Sequence, residues 1–168
     1  ATLSPTDGIG RYALDPSNAA VTGPPTVVYS GSIPMDSIAL SPDGKAIVFS
    51  SSGKQEDLFV IDTDSGVLGQ ITNDAEKDRG PSWSPDGLRI YFYSQRGDLY
   101  ETWSVQKDGS ALSQVNTTPG KESAWFPQMS PDGSRILMFN ETGPLIWSVG
   151  QRRVTLRRRV DQKPIQKN

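Results

Sequence analysis

The sequence predicts an all-β protein built from β-propeller blades of four antiparallel strands, a partial propeller of about three and a half blades. Three observations carry that prediction. The tetrapeptide Ser-Pro-Asp-Gly occurs three times, at residues 41–44, 84–87 and 130–133. Its aspartates, Asp43, Asp86 and Asp132, are spaced by 43 and then 46 residues, which is the length of one four-stranded blade. Each copy is followed by β-formers that are apolar on both faces, Ile47-Val48-Phe49, Ile90-Tyr91-Phe92 and Ile136-Leu137-Met138-Phe139. A sheet sandwiched between two neighbours requires that pattern.

Within each copy, Pro42, Pro85 and Pro131 set φ for the first turn position, and the aspartate can hydrogen-bond forward along the chain. Gly44, Gly87 and Gly133 accept the left-handed conformation that closes the hairpin, so the motif reads as a type I turn with a glycine bulge. The turn joins a short strand A, at 37–40, 81–84 and 124–130, to a richer strand B, at 46–50, 89–93 and 135–139. A polar loop leads to strand C at 57–62, 99–105 and 145–149. Turns at 63–66 and 107–110, and a tighter one at Gly150-Gln151, return the chain through strand D at 67–72, 112–117 and 152–157.

The beginning reads as a worn fourth copy. Leu3-Ser4-Pro5-Thr6-Asp7-Gly8 echoes the turn motif with one insertion, but too few residues precede Gly44 for four strands and their loops. Residues 11–15 and 26–30 are expected to form a C–D-like pair around a loop at 16–25. The expected organisation is one propeller domain with a degenerate partial blade at 1–31, blades at 32–74, 75–118 and 119–158, and a basic flexible tail at 159–168.

Composition excludes several chemistries. The 168 residues include no cysteine and no histidine, which removes disulfides, thiolate zinc sites and both Ser-His-Asp and Cys-His centres within this chain. No catalytic constellation, metal site or cofactor is expected. No apolar run is long enough for a transmembrane helix, and residues 1–10 show neither the basic start nor the apolar stretch of an export signal. The net charge of −2 is unevenly spread, because residues 150–168 carry seven bases against one acid.

Trp-Ser-Pro-Asp-Gly, a following Ile-x-Phe strand, a strand running into Asp-Gly and a closing strand ending in Thr together resemble the TolB-type, WD-type propeller repeat. Residues 81–118 carry it most completely, residues 38–74 nearly as well, and residues 124–149 through strand C. The resemblance implies a propeller that closes with six or more blades, about twice what this chain supplies. Either the chain is part of a longer polypeptide, which is the favoured reading, or two half-propellers self-associate. The resemblance also implies a periplasmic or otherwise exported bacterial protein, with a cytoplasmic location as the alternative.

Candidate sites follow from blade geometry. Tight A–B and C–D turns fall on one face of the disc, and the B–C and D–A loops fall on the other. That second face carries the longer and more charged segments, at 51–56, 73–80, 95–98, 118–123 and 140–143. Loops held by a rigid scaffold are the usual place for recognition. Lys54, Glu56, Glu76, Lys77, Asp78, Arg79, Arg96, Lys121, Glu122 and Trp125 are therefore the expected partner-contacting residues. Asp43, Asp86 and Asp132 read as turn residues rather than ligands, because turn chemistry alone requires them. Trp83 and Trp147 lie within strands and read as wedges between blades. The alternation of Asp74, Glu76 and Asp78 lacks the central glycine of a calcium loop and is interrupted by Lys77 and Arg79. The arginines of 152–159 fit an outward strand face better than a nucleic-acid site, and no nucleic acid is expected.

Two functions follow. The first is a non-catalytic scaffold for protein–protein interaction. The alternative is the propeller portion of a larger enzyme, such as a prolyl oligopeptidase-like or tricorn-like peptidase, with catalysis outside this chain.

Overall fold

The Ser-Pro-Asp-Gly turn repeats in atomic detail because each residue answers a local backbone demand. In the first copy, Ser41 Oγ donates to Asp43 Oδ1 at 2.6 Å and accepts from Ala46 N at 2.9 Å. Lys45 N donates to the same aspartate oxygen at 3.0 Å, and Gly44 stands at φ 73°. The copies at Ser84 and Ser130 reproduce these bonds, with Gly87 and Gly133 both at φ 69°. The three aspartates are thus consumed by their own turns. Hydrogen bonds from these serines lower the pKa of each carboxyl, that of Asp132 to about 2.

A computed structural model describes residues 7–115 and 122–149, and the backbone of 154–156. Every regular element described is a strand: β1 (Asp7–Leu14), β2 (Val21–Gly31), β3 (Met35–Leu40), β4 (Ala46–Ser51), β5 (Leu58–Asp62), β6 (Leu68–Gln70) and β7 (Asp78–Trp83). The series continues with β8 (Arg89–Ser94), β9 (Glu101–Gln106), β10 (Ser113–Gln114), β11 (Trp125–Met129), β12 (Arg135–Asn140), β13 (Gly143–Ser148) and β14 (Val154–Leu156). They form a two-stranded antiparallel sheet, β1-β2, and three four-stranded meanders, β3-β4-β5-β6, β7-β8-β9-β10 and β11-β12-β13-β14. This is an all-β partial propeller.

Apolar faces of successive sheets fill the spaces between them. Val48, Leu58, Val60, Trp83, Ile90 and Phe92 belong to one core cluster between the first and second full sheets. Ala124, Ile136 and Met138 form a second, against which Tyr91, Met129 and Trp147 pack. Hydrogen bonds tie the inner strands together: Trp83 Nε1 donates to Ala39 O at 3.1 Å, and Ser82 Oγ to Pro127 O at 2.6 Å. The both-faces-apolar expectation holds for β4, which is buried throughout. In β12 burial alternates instead, because no further described sheet covers Leu137 and Phe139.

Two regions differ from expectation. β1 and β2 are longer than residues 11–15 and 26–30, and the loop expected at 16–25 contracts to a turn at 15–20. Two irregularities in the β1-β2 register let the ribbon carry Pro24 and Pro25 without a continuous ladder. The expected loop at 140–143 is a tight turn, since Asn140 Oδ1 accepts from Thr142 N and Gly143 N, each at 3.0 Å. The turn expected at Gly150-Gln151 and the tail at 159–168 lie outside the described residues.

Candidate functional site

β3, β7 and β11 are the first strands of their sheets, so their N-terminal ends, with the B–C loops, gather on one face around the centre of the array. Charged side chains here are paired to one another across segments. Glu56 accepts from Lys77 Nζ at 2.8 Å, from Arg79 Nη2 at 2.8 Å and from Arg79 Nε. Arg96 Nη1 donates to Asp74 at 2.6 Å, while its Nη2 reaches both oxygens of Asp78 at 2.9 Å. The Arg96 guanidinium also lies 5.2 Å from the centre of the Trp103 ring. Gln55 ties its loop to the next by donating to Glu76 O at 3.1 Å and to Asp74 O.

Burial separates the roles of these groups. Asp78 is fully buried and Glu56 nearly so. Loss of hydration pushes the Asp78 carboxyl up, and the Arg96 charge pulls against that rise. Glu56 is held at about 2, chiefly by its hydrogen bonds from Arg79, which outweigh burial. Its stabilising contribution is therefore complete above the ordinary carboxylate value of 4.5 and is lost as pH falls toward 2. Because Lys77 is partly exposed and screened, about 1–2 kcal/mol is expected to disappear over that window. Urea titrations at stepped pH test this, and Glu56→Gln should flatten the curve between those limits. An unchanged pH profile in that variant would count against the assignment.

Beside the ion pairs lies an aromatic group. The Tyr93 ring meets Phe126 edge-on at 5.1 Å and Tyr100 at 5.8 Å, and the Arg79 guanidinium lies 6.0 Å from the Tyr100 ring centre. Gly80 makes this possible: at φ 58°, a Cβ there would stand 2.7 Å from the Tyr93 ring and 3.2 Å from Phe126. Phe126 has φ 53°, a conformation rarely adopted by a bulky residue, and is 49% exposed.

The structure sorts the expected contact residues. Lys54 is exposed at the tip of its loop, and Trp125 is half-buried opposite Phe139 in the β11-β12 register. Glu76 is half-buried, Lys77, Arg79 and Arg96 are partly covered and paired, and Glu122 accepts from Asn140 Nδ2. Asp78 and Glu56 lie beneath the surface, Asp78 paired to Arg96 and Glu56 to Lys77 and Arg79. Lys121 lies outside the described residues. Tyr93, Tyr100 and Phe126 were not expected, since all three sit within or next to strands and their meeting depends on packing between sheets. Among the described residues no cluster of three or more acidic groups is arranged to hold a metal ion. Asp74 and Asp78 share Arg96 instead. Among the described residues no helix is long and apolar enough to cross a membrane.

Comparisons with known proteins agree with this fold. The chain is 37% identical over 91 residues to an uncharacterized protein of Agrobacterium fabrum, a match spanning 54% of this chain and 30% of that protein. It is 32% identical over 98 residues to dipeptidyl-peptidase 5 of Porphyromonas gingivalis, spanning 53% of this chain and 14% of that one. Among solved structures, a TolB-type protein from Agrobacterium tumefaciens superposes with a TM-score of 0.71 at 24% identity, covering 89% of this chain and 60% of that chain. The chain thus matches less than two thirds of the length of each of these relatives. The TolB beta propeller domain family matches residues 22–159, which include all three Ser-Pro-Asp-Gly turns and the aromatic group, and the chain belongs to that family.

Proposed function

We propose that this propeller is a non-catalytic scaffold that holds a protein partner on its loop face, with Phe126 at the centre of the contact. The supporting observation is Phe126 itself, a half-exposed aromatic ring held at positive φ beside Tyr93. Such backbone strain persists where surrounding structure enforces it and clusters at functional sites. Partly exposed aromatics and arginines are the side chains that dominate binding energy in protein interfaces. The Glu56–Arg79–Lys77 and Asp74–Arg96–Asp78 groups hold the flanking loops in place before a partner arrives. Lys54, Glu76, Lys121, Glu122 and Trp125 form the rim in this reading, and neither nucleic acid nor a cofactor takes part. A periplasmic setting and a division into blades at 32–74, 75–118 and 119–158 complete the proposal, with the chain as part of a longer polypeptide and pairing of two half-propellers as the alternative.

Phe126→Gly provides the test. It relieves the strained φ and removes the Tyr93 contact, two effects of about 1 kcal/mol each and opposite sign, so stability should be nearly unchanged. Capture of partner from a bacterial envelope extract should fall at least about tenfold, the usual cost of removing an interface anchor. Equal capture by the two proteins would overturn the reading. A second reading rests on the likeness to dipeptidyl-peptidase 5: the propeller belongs to a larger peptidase that performs its chemistry elsewhere. A Gly-x-Ser-x-Gly hydrolase region in the same open reading frame would favour it.

A further inference from the structure

The first strands of the three full sheets share an irregularity at the loop face. Register shifts between Met35 and Ile38 in β3, between Arg79 and Ser82 in β7, and between Trp125 and Gln128 in β11. Asp36, Arg79 and Trp125 stand at one repeat position, each the same distance before its turn aspartate, and Gly80 and Phe126 at the next, both with positive φ. Such bulges re-aim the side chains beside them.

What stays accessible differs from sheet to sheet. In β7 the Arg79 guanidinium is already taken, with Nη2 donating to Glu56 at 2.8 Å and its plane near the Tyr100 ring. In β11 Trp125 is half-buried, while Phe126 presents a ring that is 49% exposed and rests on Tyr93. In β3 Asp36 is exposed, and among the described residues no hydrogen bond or ion pair engages its carboxylate. Asp36 belongs to the same neighbourhood as the aromatic group: burial raises the Tyr93 phenol pKa, and of the charges acting on it Arg79 opposes the rise and Asp36 adds to it. An open ring and an unspent carboxylate therefore border one place. Both attract cations. The loops around them have the same sign, since 51–56, 73–80, 95–98, 118–123 and 140–143 carry seven acids against five bases before Asp36 is counted.

We infer that the opening between Asp36 and Phe126 takes an arginine side chain of the protein partner, its guanidinium lying on the Phe126 ring and donating to the Asp36 carboxylate. Arginine suits both halves, because its planar group stacks on a ring while its edge forms paired bonds with a carboxylate. The chain uses that combination twice internally. Arg79 grips Glu56 and lies 6.0 Å from the Tyr100 ring centre, and Arg96 grips Asp78 and lies 5.2 Å from that of Trp103. The inference rests on the scaffold reading and adds the chemistry of the partner to it.

The test titrates the full chain with four capped pentapeptides, Gly-Gly-Xaa-Gly-Gly, in which Xaa is arginine, citrulline, lysine or glutamate, and follows backbone amide shifts. Citrulline keeps the shape of arginine without its charge. The arginine peptide should bind about tenfold tighter than the citrulline one, from a ring contact and an exposed ion pair together, with shifts centred on Asp36, Tyr93 and Phe126. Asp36→Asn should reduce that preference about threefold, and so should Phe126→Leu, which keeps an apolar side chain but no π face. The inference is overturned if the arginine peptide binds no tighter than the citrulline or lysine one, if the glutamate peptide binds best, or if both variants keep the full preference. Capture from the envelope extract separates it from the reading beneath it. Loss of capture with both Phe126→Gly and Asp36→Asn supports both readings. Loss with Phe126→Gly alone leaves the scaffold standing and removes the arginine site, and loss with neither removes both.

Discussion

Asp78→Ala is expected to destabilise the domain by about 3 kcal/mol, the lower end of the cost of leaving one partner of a buried ion pair uncompensated. Both Asp78 oxygens accept from Arg96 Nη2 at 2.9 Å, and the carboxylate has no access to water. Removing it leaves Arg96 covered and bonded only to Asp74, which is itself partly exposed. The loss should appear as a lower denaturant midpoint with an unchanged slope, because the fold and its exposed area on unfolding stay the same. A companion variant separates pairing from packing. Replacing Asp78 and Arg96 together by leucine should recover most of the loss, since an apolar pair of similar volume carries no stranded charge. A double variant as unstable as Asp78→Ala would show that the position depends on shape rather than charge compensation.

Trp83→Ala should cost about 3–5 kcal/mol, the range for deleting a buried aromatic side chain. Trp83 is only 8% exposed and fills the junction between the first and second full sheets beside Val48, Val60 and Phe92. Its Nε1 also satisfies the carbonyl of Ala39 at 3.1 Å, a bond between the inner strands of two blades. Trp83→Phe keeps most of the apolar volume and loses the donor, so about 1–2 kcal/mol is expected, part of it from the orphaned carbonyl. Hydrogen exchange gives a second readout: with alanine, amides of β3 and β7 should lose protection together, because the side chain joins their sheets. Loss confined to β7 would mean that Trp83 stabilises its own blade and does not couple two.

The repeat made the architecture readable because its demands are local. Ser41, Asp43 and Gly44 satisfy one another within four residues, and the same is true at Ser84 and Ser130, so no knowledge of distant contacts is needed to place the hairpins. The doubly apolar B strands likewise announce neighbours on both sides. Strand ends were less legible: β2 runs through Pro24 and Pro25, which read locally as a loop, because irregular pairing with β1 tolerates them. On the loop face, sequence reasoning located Glu56, Lys77, Arg79 and Arg96 as a group but read them as free surface charge. Lys77 and Arg79 are in fact paired to Glu56, and Arg96 to Asp74 and Asp78, relations across 18 to 23 positions of chain that no local pattern encodes.

From the amino-acid order alone came the propeller class, the blade period, the turn chemistry and the exclusion of histidine- or cysteine-based catalysis within this chain, since each depends on residue identity or on neighbours a few positions apart. The meeting of Tyr93, Tyr100 and Phe126, the burial of Asp78 and the exposure of Ile38 and Leu40 were decided only by tertiary structure. Each of those depends on whether another sheet lies against the residue, and that is a property of the stacked array rather than of any single repeat.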